Sequence, residues 1–180
     1  MSSLKRSLLL FCCCFLLVVL LLPETSQSYE GRCDVARMKF SVSSATCDIL
    51  QSTSSSVVTF GVNTDDMSIV SPGKAQGNQV IVRIRRVEIP VARSQVGLRG
   101  FEPVSINKGR SKYEVRGRVI YTFVDKGSEV VYVTRGLSTY EGNRILSGGA
   151  ELLYQFDIAR DDFEALNEKL LKLLESIGIR

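Results

Sequence analysis

The residues best suited to chemistry in this sequence are arginines. Arg83 and Arg85 stand two apart, and so do Arg116 and Arg118. On extended backbone that spacing puts both side chains on one face. A pair of guanidinium forks suits phosphate, sulfate or carboxylate oxygens, because each planar fork meets two oxygens at once. Lys108, Arg110 and Lys112 precede the second pair, and Glu114 shares its face. If the two strands are neighbours, these cations form a basic sheet face. Its partners would be an anionic lipid headgroup, an acidic glycan or an acidic patch on a protein. Charge along the chain points to the same stretch. Residues 29–79 carry four Lys/Arg and five Asp/Glu, residues 80–120 carry ten and three, and residues 121–180 carry seven and ten. The net +4 of the 180-residue chain therefore conceals a +7 segment. The bland alternative is a solvated face that also balances acidic residues elsewhere in the fold.

Other chemistries find less support. The chain has no histidine, which removes Ser-His-Asp and Cys-His catalysis and any His-ligated zinc site. Ser71-Pro72-Gly73-Lys74 fails as a phosphate loop, because Ser68 stands at the required glycine and Ala75 at the required hydroxyl. Asp65-Asp66 lacks the glycine and distal Glu of an EF-hand. Tyr132, Tyr140 and Tyr154, with Ser147-Gly148-Gly149, could line a cleft, although strand tyrosines more often pack with one end wet. A glycosidase needs only two carboxylates, so a histidine-free hydrolase stays formally open, but there is no tryptophan platform. The expectation is a protein that is no enzyme, with neither metal nor cofactor, acting by binding.

The N-terminus sets the compartment. Lys5 and Arg6 precede an apolar run from Leu8 to Leu22, closed by Pro23 and followed by Ser26 and Ser28. A basic start, a short apolar run and small exit residues describe a secretory signal peptide over residues 1–28. As a helix the run spans only about 22 Å, short of a bilayer core. Retained, it would be a signal anchor, with Cys12, Cys13 and Cys14 open to acylation. Residues 29–180 then form one β-rich domain with two cysteines, Cys33 and Cys47. An even pair in an exported chain suggests a disulfide. A secreted or membrane-associated extracytoplasmic location follows, and nucleic acid is disfavoured as a partner.

Apolar periodicity supplies the elements. Ala36, Met38, Phe40 and Val42 alternate, and Cys47–Leu50 could extend their pairing. Gln51–Ser56 reads as a loop, while Val58, Phe60 and Val62 alternate again. Val80, Val82 and Ile84 continue one residue out of phase at Val87 and Ile89, which predicts a β-bulge at Arg85-Arg86. Residues 90–112 read as irregular. Tyr113 to Phe123 reads as one long strand, with Gly117 in an apolar slot. Asp125–Ser128 is a tight turn with Gly127 at positive φ, Val130–Thr134 returns, and Tyr140–Gly149 is turn-rich. Leu152, Tyr154, Phe156 and Ile158 make a last strand. Residues 161–177 then change to helical spacing, with Asp161 and Glu164 as a capping box and Gly178 just past the end. The predicted class is α+β: seven or eight short antiparallel strands, in a curved sheet or sandwich, with one C-terminal amphipathic helix.

The order strand, long loop, long hairpin, return strand and terminal helix over residues 80–177 is similar to the latter part of small envelope lipoproteins that assist lipopolysaccharide assembly. Tyr113-Glu114-Val115 through Thr122 and the helix Asp161–Ile177 carry the likeness. The lipobox cysteine and the early helix of that family are missing, so no residue role is carried over. The expected function is an exported, non-catalytic adaptor or carrier, holding a lipid or anionic partner on a basic sheet face. The alternative is a structural subunit or assembly factor of an envelope or membrane complex, held to the membrane by residues 8–22.

Overall fold

Alternating apolar residues require a partner layer for one face of each strand, and the chain supplies that layer from its two ends. The computed structural model describes residues 31–107 and 109–179. The expected signal segment 1–28 and Lys108 lie outside the described residues. Along the chain come β1 (Gly31–Val35), β2 (Met38–Val42), α1 (Ser44–Ile49), β3 (Gln51–Ser54), β4 (Val57–Asn63), β5 (Ile69–Val70) and β6 (Gln79–Arg86). Then follow α2 (Arg93–Leu98), β7 (Ser105–Asn107), β8 (Arg110–Val115), β9 (Arg118–Val124), β10 (Val130–Arg135), β11 (Thr139–Ile145), β12 (Ala150–Asp157) and α3 (Phe163–Ser176). The protein is α+β and mainly antiparallel, with its long helix at the C-terminus. The main sheet runs β3-β4-β6-β12-β11-β10-β9-β8-β7, with β5 beside β4, and β1-β2 is a separate hairpin.

The core lies on one face of that sheet, the inner face. Phe60 stands opposite Val82, and Val82 opposite Tyr154, across three adjacent strands. They cluster with Val58, Val62, Leu152 and Phe156, and with Phe163, Leu166, Leu170 and Leu174 of α3. Each such side chain contributes about 1.5–3 kcal/mol when fully buried. The β1-β2 hairpin adds Met38, Phe40 and Val42, and the Ser41 N–H donates to the Ile177 carbonyl at 2.9 Å. The Cys33–Cys47 disulfide is formed and ties β1 to α1, with Cα atoms 5.8 Å apart. A crosslink of that span stabilises by about 3 kcal/mol in the chain-entropy model. Gly142 on β11 sits under the Tyr154 ring, where a Cβ would lie 2.1 Å from Cζ. Its missing side chain makes room for the ring, whose hydroxyl donates to Asn167 Oδ1 of α3 at 3.4 Å.

Several expected elements are corrected. Ala36 and Arg37 both take positive φ, so Ala36 belongs to the β1-β2 turn and not to a strand face. Cys47–Leu50 does not extend a strand: Ser43 caps α1, accepting the Thr46 N–H at 3.2 Å. Gln51–Ser54 is an edge strand, which needs no apolar face to pair. The ladder from Ala150↔Arg86 to Gln155↔Ile81 is unbroken, so Arg85-Arg86 is no bulge, and the chain leaves the sheet before Val87. Residues 90–112 hold α2, β7 and the start of β8.

Tyr113–Phe123 is two strands around an Arg116-Gly117 turn, with φ of 50° and 75°. A two-residue turn pairs odd with even positions, as in Val115↔Arg118. Tyr113 and Val115 therefore face away from Val119, Tyr121 and Phe123. Residues 139–145 are strand β11, hidden in the sequence by Gly142, Asn143 and Arg144. Ser128, not Gly127, takes the positive φ after Asp125.

At α3 no capping box forms. The N-cap is Asp162, whose side chain caps no N–H and pairs with Arg160, while Glu164 binds Arg110. The expected C-terminal stop is present. Gly178 has φ 85°, its N–H donates to the Glu175 carbonyl at 3.1 Å, and the Ile179 N–H donates to the Leu174 carbonyl at 2.8 Å.

Candidate functional site

The sheet order decides what the arginines can do together. β6 and the β8-β9 hairpin are not neighbours, because β12, β11 and β10 separate them. The expected contiguous basic face is therefore not formed. Pairing still sorts the side chains. Arg83 stands opposite Thr59 and Arg85 opposite Val57, on the outer face away from α3. Arg118 shares the outer face with Val115, and Arg116 sits in the turn beside it. Arg110 and Lys112 point to the inner side. Arg110 lies 4.6 Å from the Phe163 ring centroid and pairs with Glu164, and Lys112 pairs with Glu114 at 2.6 Å. Arg110 is thus a clasp between β8 and α3. The Glu164 hydrogen bond raises its pKa, and Glu164 is held below the usual value by Arg110 against the upward push of burial.

Arg85 is committed as well. It pairs with Glu151 of β12, whose side chain is fully buried on the outer face. Burying a carboxylate is costly unless donors surround it. Here Glu151 Oε1 also accepts from Asn143 Nδ2 at 2.6 Å and from the Arg93 N–H at 3.0 Å. Asn143 Oδ1 accepts the Ser94 N–H at 3.4 Å. Two side chains from adjacent strands thus hold the start of α2. Ala92, buried just before it, is the apolar anchor. The segment 87–104 is strapped across the outer face in this way, although α2 itself buries no residue.

Between the strap and β8-β10 lies a groove of about 460 Å³, lined by Val96, Leu98, Arg99, Phe101, Val124 and Val130 among others. Large apolar side chains stay in water around it, with Ile106 at 71% exposure, Val96 at 62% and Val104 at 58%. Arg86, Arg93, Arg99, Arg116 and Arg118 make no ion pair among the described residues. Arg93 and Arg99 were not singled out by spacing, because they sit on the strap, outside any alternating run. Glu151 and Asn143 left no signal beyond being polar residues next to strand apolars.

A second concavity, about 520 Å³, opens between α3 and the β9-β10 turn over Phe123, Leu146, Leu171 and Leu174. Asp125 and Arg144 form an ion pair in its wall, with side chains 7% and 5% exposed. Burial alone would raise the Asp125 carboxyl. The Arg144 guanidinium and the N–H groups of Glu129 and Gly127 outweigh it and hold the pKa below the ordinary value. Tyr154 is fully buried beneath α3, which pushes its phenol well up, and Tyr140 packs on Phe163. The rim carboxylates Glu164 and Glu168 pair with Arg110 and Lys126. Among the described residues, no group of three metal-ligating side chains occurs, and no helix is long and apolar enough to cross a membrane. No family model, curated protein or solved structure matches the chain, so the likeness drawn from residues 80–177 rests on those residues alone.

Proposed function

We propose that this protein is an exported, non-catalytic binding module, an adaptor or carrier that holds a lipid or other anionic partner on the outer face of its sheet. One observation carries the reading. Arg93, Arg99, Arg116 and Arg118, which make no ion pair among the described residues, and the exposed apolar side chains Val96, Phe101, Val104 and Ile106 come from one stretch, residues 93–118, which forms the strap and the β7-β9 edge of the sheet. Apolar surface left in water beside unpaired cations is a recognition surface for an anionic amphiphile. The Cys33–Cys47 disulfide fits an oxidising, extracytoplasmic compartment.

The test is salt-dependent retention of the protein on immobilised dextran sulfate. Each arginine near a dense anionic surface contributes about 1 kcal/mol, so Arg99→Gln with Arg118→Gln should elute at distinctly lower salt. Lys39→Gln, on the hairpin over the inner face, should elute with the unaltered protein. No retention at low salt, or retention indifferent to the arginine pair, would falsify the reading.

A further inference from the structure

We infer that the anionic partner is a lipid bilayer, and that the outer face docks on it by inserting Val96, Phe101, Val104 and Ile106 between headgroups. This rests on the anion-binding reading above and names its partner.

The four side chains come from the strap and the edge strand it leads into. Ile106 stands opposite Ser111, Ser111 opposite Thr122, and Thr122 opposite Tyr132, so Ile106 holds an outer-face position at the edge of the sheet. The Val104 N–H, just before β7, donates to the Lys112 carbonyl at 2.8 Å and so holds that residue at the same edge. Val96 and Phe101 line the groove that Thr122 and Tyr132 floor. All four are exposed, Phe101 least at 44%. They project from a short helix, a loop and an edge strand, so they form a raised apolar rim instead of a shaped socket.

Charge separates a bilayer from a protein partner. Within residues 87–118, Arg93, Arg99, Arg116 and Arg118 have only Glu88 and Glu102 as carboxylates without an ion pair, because Lys112 pairs with Glu114. The acidic helix α3, with Asp161 before it, lies on the opposite face of the sheet. The side with the exposed apolar side chains thus carries arginines without carboxylate partners, and α3 on the other side carries excess carboxylate, which orients the molecule on a negative surface. A protein patch that met the arginines would also need a surface shaped to the raised rim to cover Val104 and Ile106. A bilayer satisfies both, taking apolar side chains to the headgroup boundary while phosphates meet the guanidinium forks.

The chain has no tryptophan, so a single introduced indole reports without background. Ile106→Trp and, on the opposite side, Lys39→Trp are made in the full chain. Each is mixed with phosphatidylcholine vesicles, with or without phosphatidylglycerol, carrying brominated acyl chains. The expected result is a blue shift and strong quenching for Ile106→Trp only when phosphatidylglycerol is present, with Lys39→Trp little changed. Adding Phe101→Asp to Ile106→Trp should weaken the partitioning by about tenfold, the scale of losing one buried aromatic side chain. Equal quenching at both positions, or quenching without phosphatidylglycerol, overturns the inference, since a membrane-bound N-terminal segment would act that way. Retention on dextran sulfate with no quenching at residue 106 overturns the bilayer and leaves the anion-binding reading standing. Loss of both removes the two together.

Discussion

A carboxylate and a guanidinium that leave water together depend on each other, and Asp125 with Arg144 shows the cost of separating them. Both side chains are nearly inaccessible, so removing one charge strands the other. Asp125→Asn should destabilise the fold by about 3 kcal/mol, as broken buried pairs do, read by urea unfolding at neutral pH. The pH dependence has a definite sign. The folded pKa lies below the ordinary 3.8, so the stabilisation is present above that value and lost as pH falls through the lowered one. The gap between the two proteins should therefore close at acid pH, and a constant gap would sink this account. Neither residue was legible in the sequence as half of a pair. Asp125 reads as a turn former, which it also is, with Oδ1 accepting the N–H groups of Gly127 and Glu129. Arg144 reads as part of a turn-rich stretch.

At the scale of elements, the strap over residues 87–104 is held by hydrogen bonds more than by packing. Asn143→Ala would free the Ser94 N–H and remove one donor from Glu151. The expected outcome is faster tryptic cleavage after Arg93 and Arg99, with little change elsewhere in the fold. Cleavage at the unaltered rate would show that Ala92 and the groove contacts suffice. The same strap shows where sequence reading stops. Strands β2, β4, β6, β9, β10 and β12 and helix α3 were legible because their apolar side chains repeat with the period of the element and face one core. Strand β3 was not, because an edge strand pairs through its backbone whatever its side chains. Strand β11 was missed because it carries Gly142 for the Tyr154 ring and Arg144 for Asp125. The β8-β9 turn was missed because it preserves the alternation while reversing the face.

The +7 segment of the sequence does not fold onto one side of the molecule: Arg93, Arg99 and Arg118 lie on the strap or the outer face, while Arg86, Arg110 and Lys112 lie on the inner face. The strand order was not legible in the sequence. β6 pairs with β4 on one side and with β12 on the other, and nothing local in β6 identifies a partner so far along the chain. That placement also governs the sequence of events during synthesis. The Cys33–Cys47 crosslink and the β1-β2 hairpin use only neighbouring residues and can form while the rest of the chain is still emerging. The β6-β12 ladder and the cover provided by α3 cannot, because β12 and α3 are the last described elements. Chains ending at Ala159 should keep the crosslink yet bind the apolar dye ANS and yield quickly to protease, since Phe60, Tyr154 and Phe156 would lose their cover. A truncated chain as resistant as the full one would show that the helix is dispensable. The nascent chain is therefore bound to carry an open, adhesive sheet until its final helix arrives, and the interval before closure is when a chaperone would matter most.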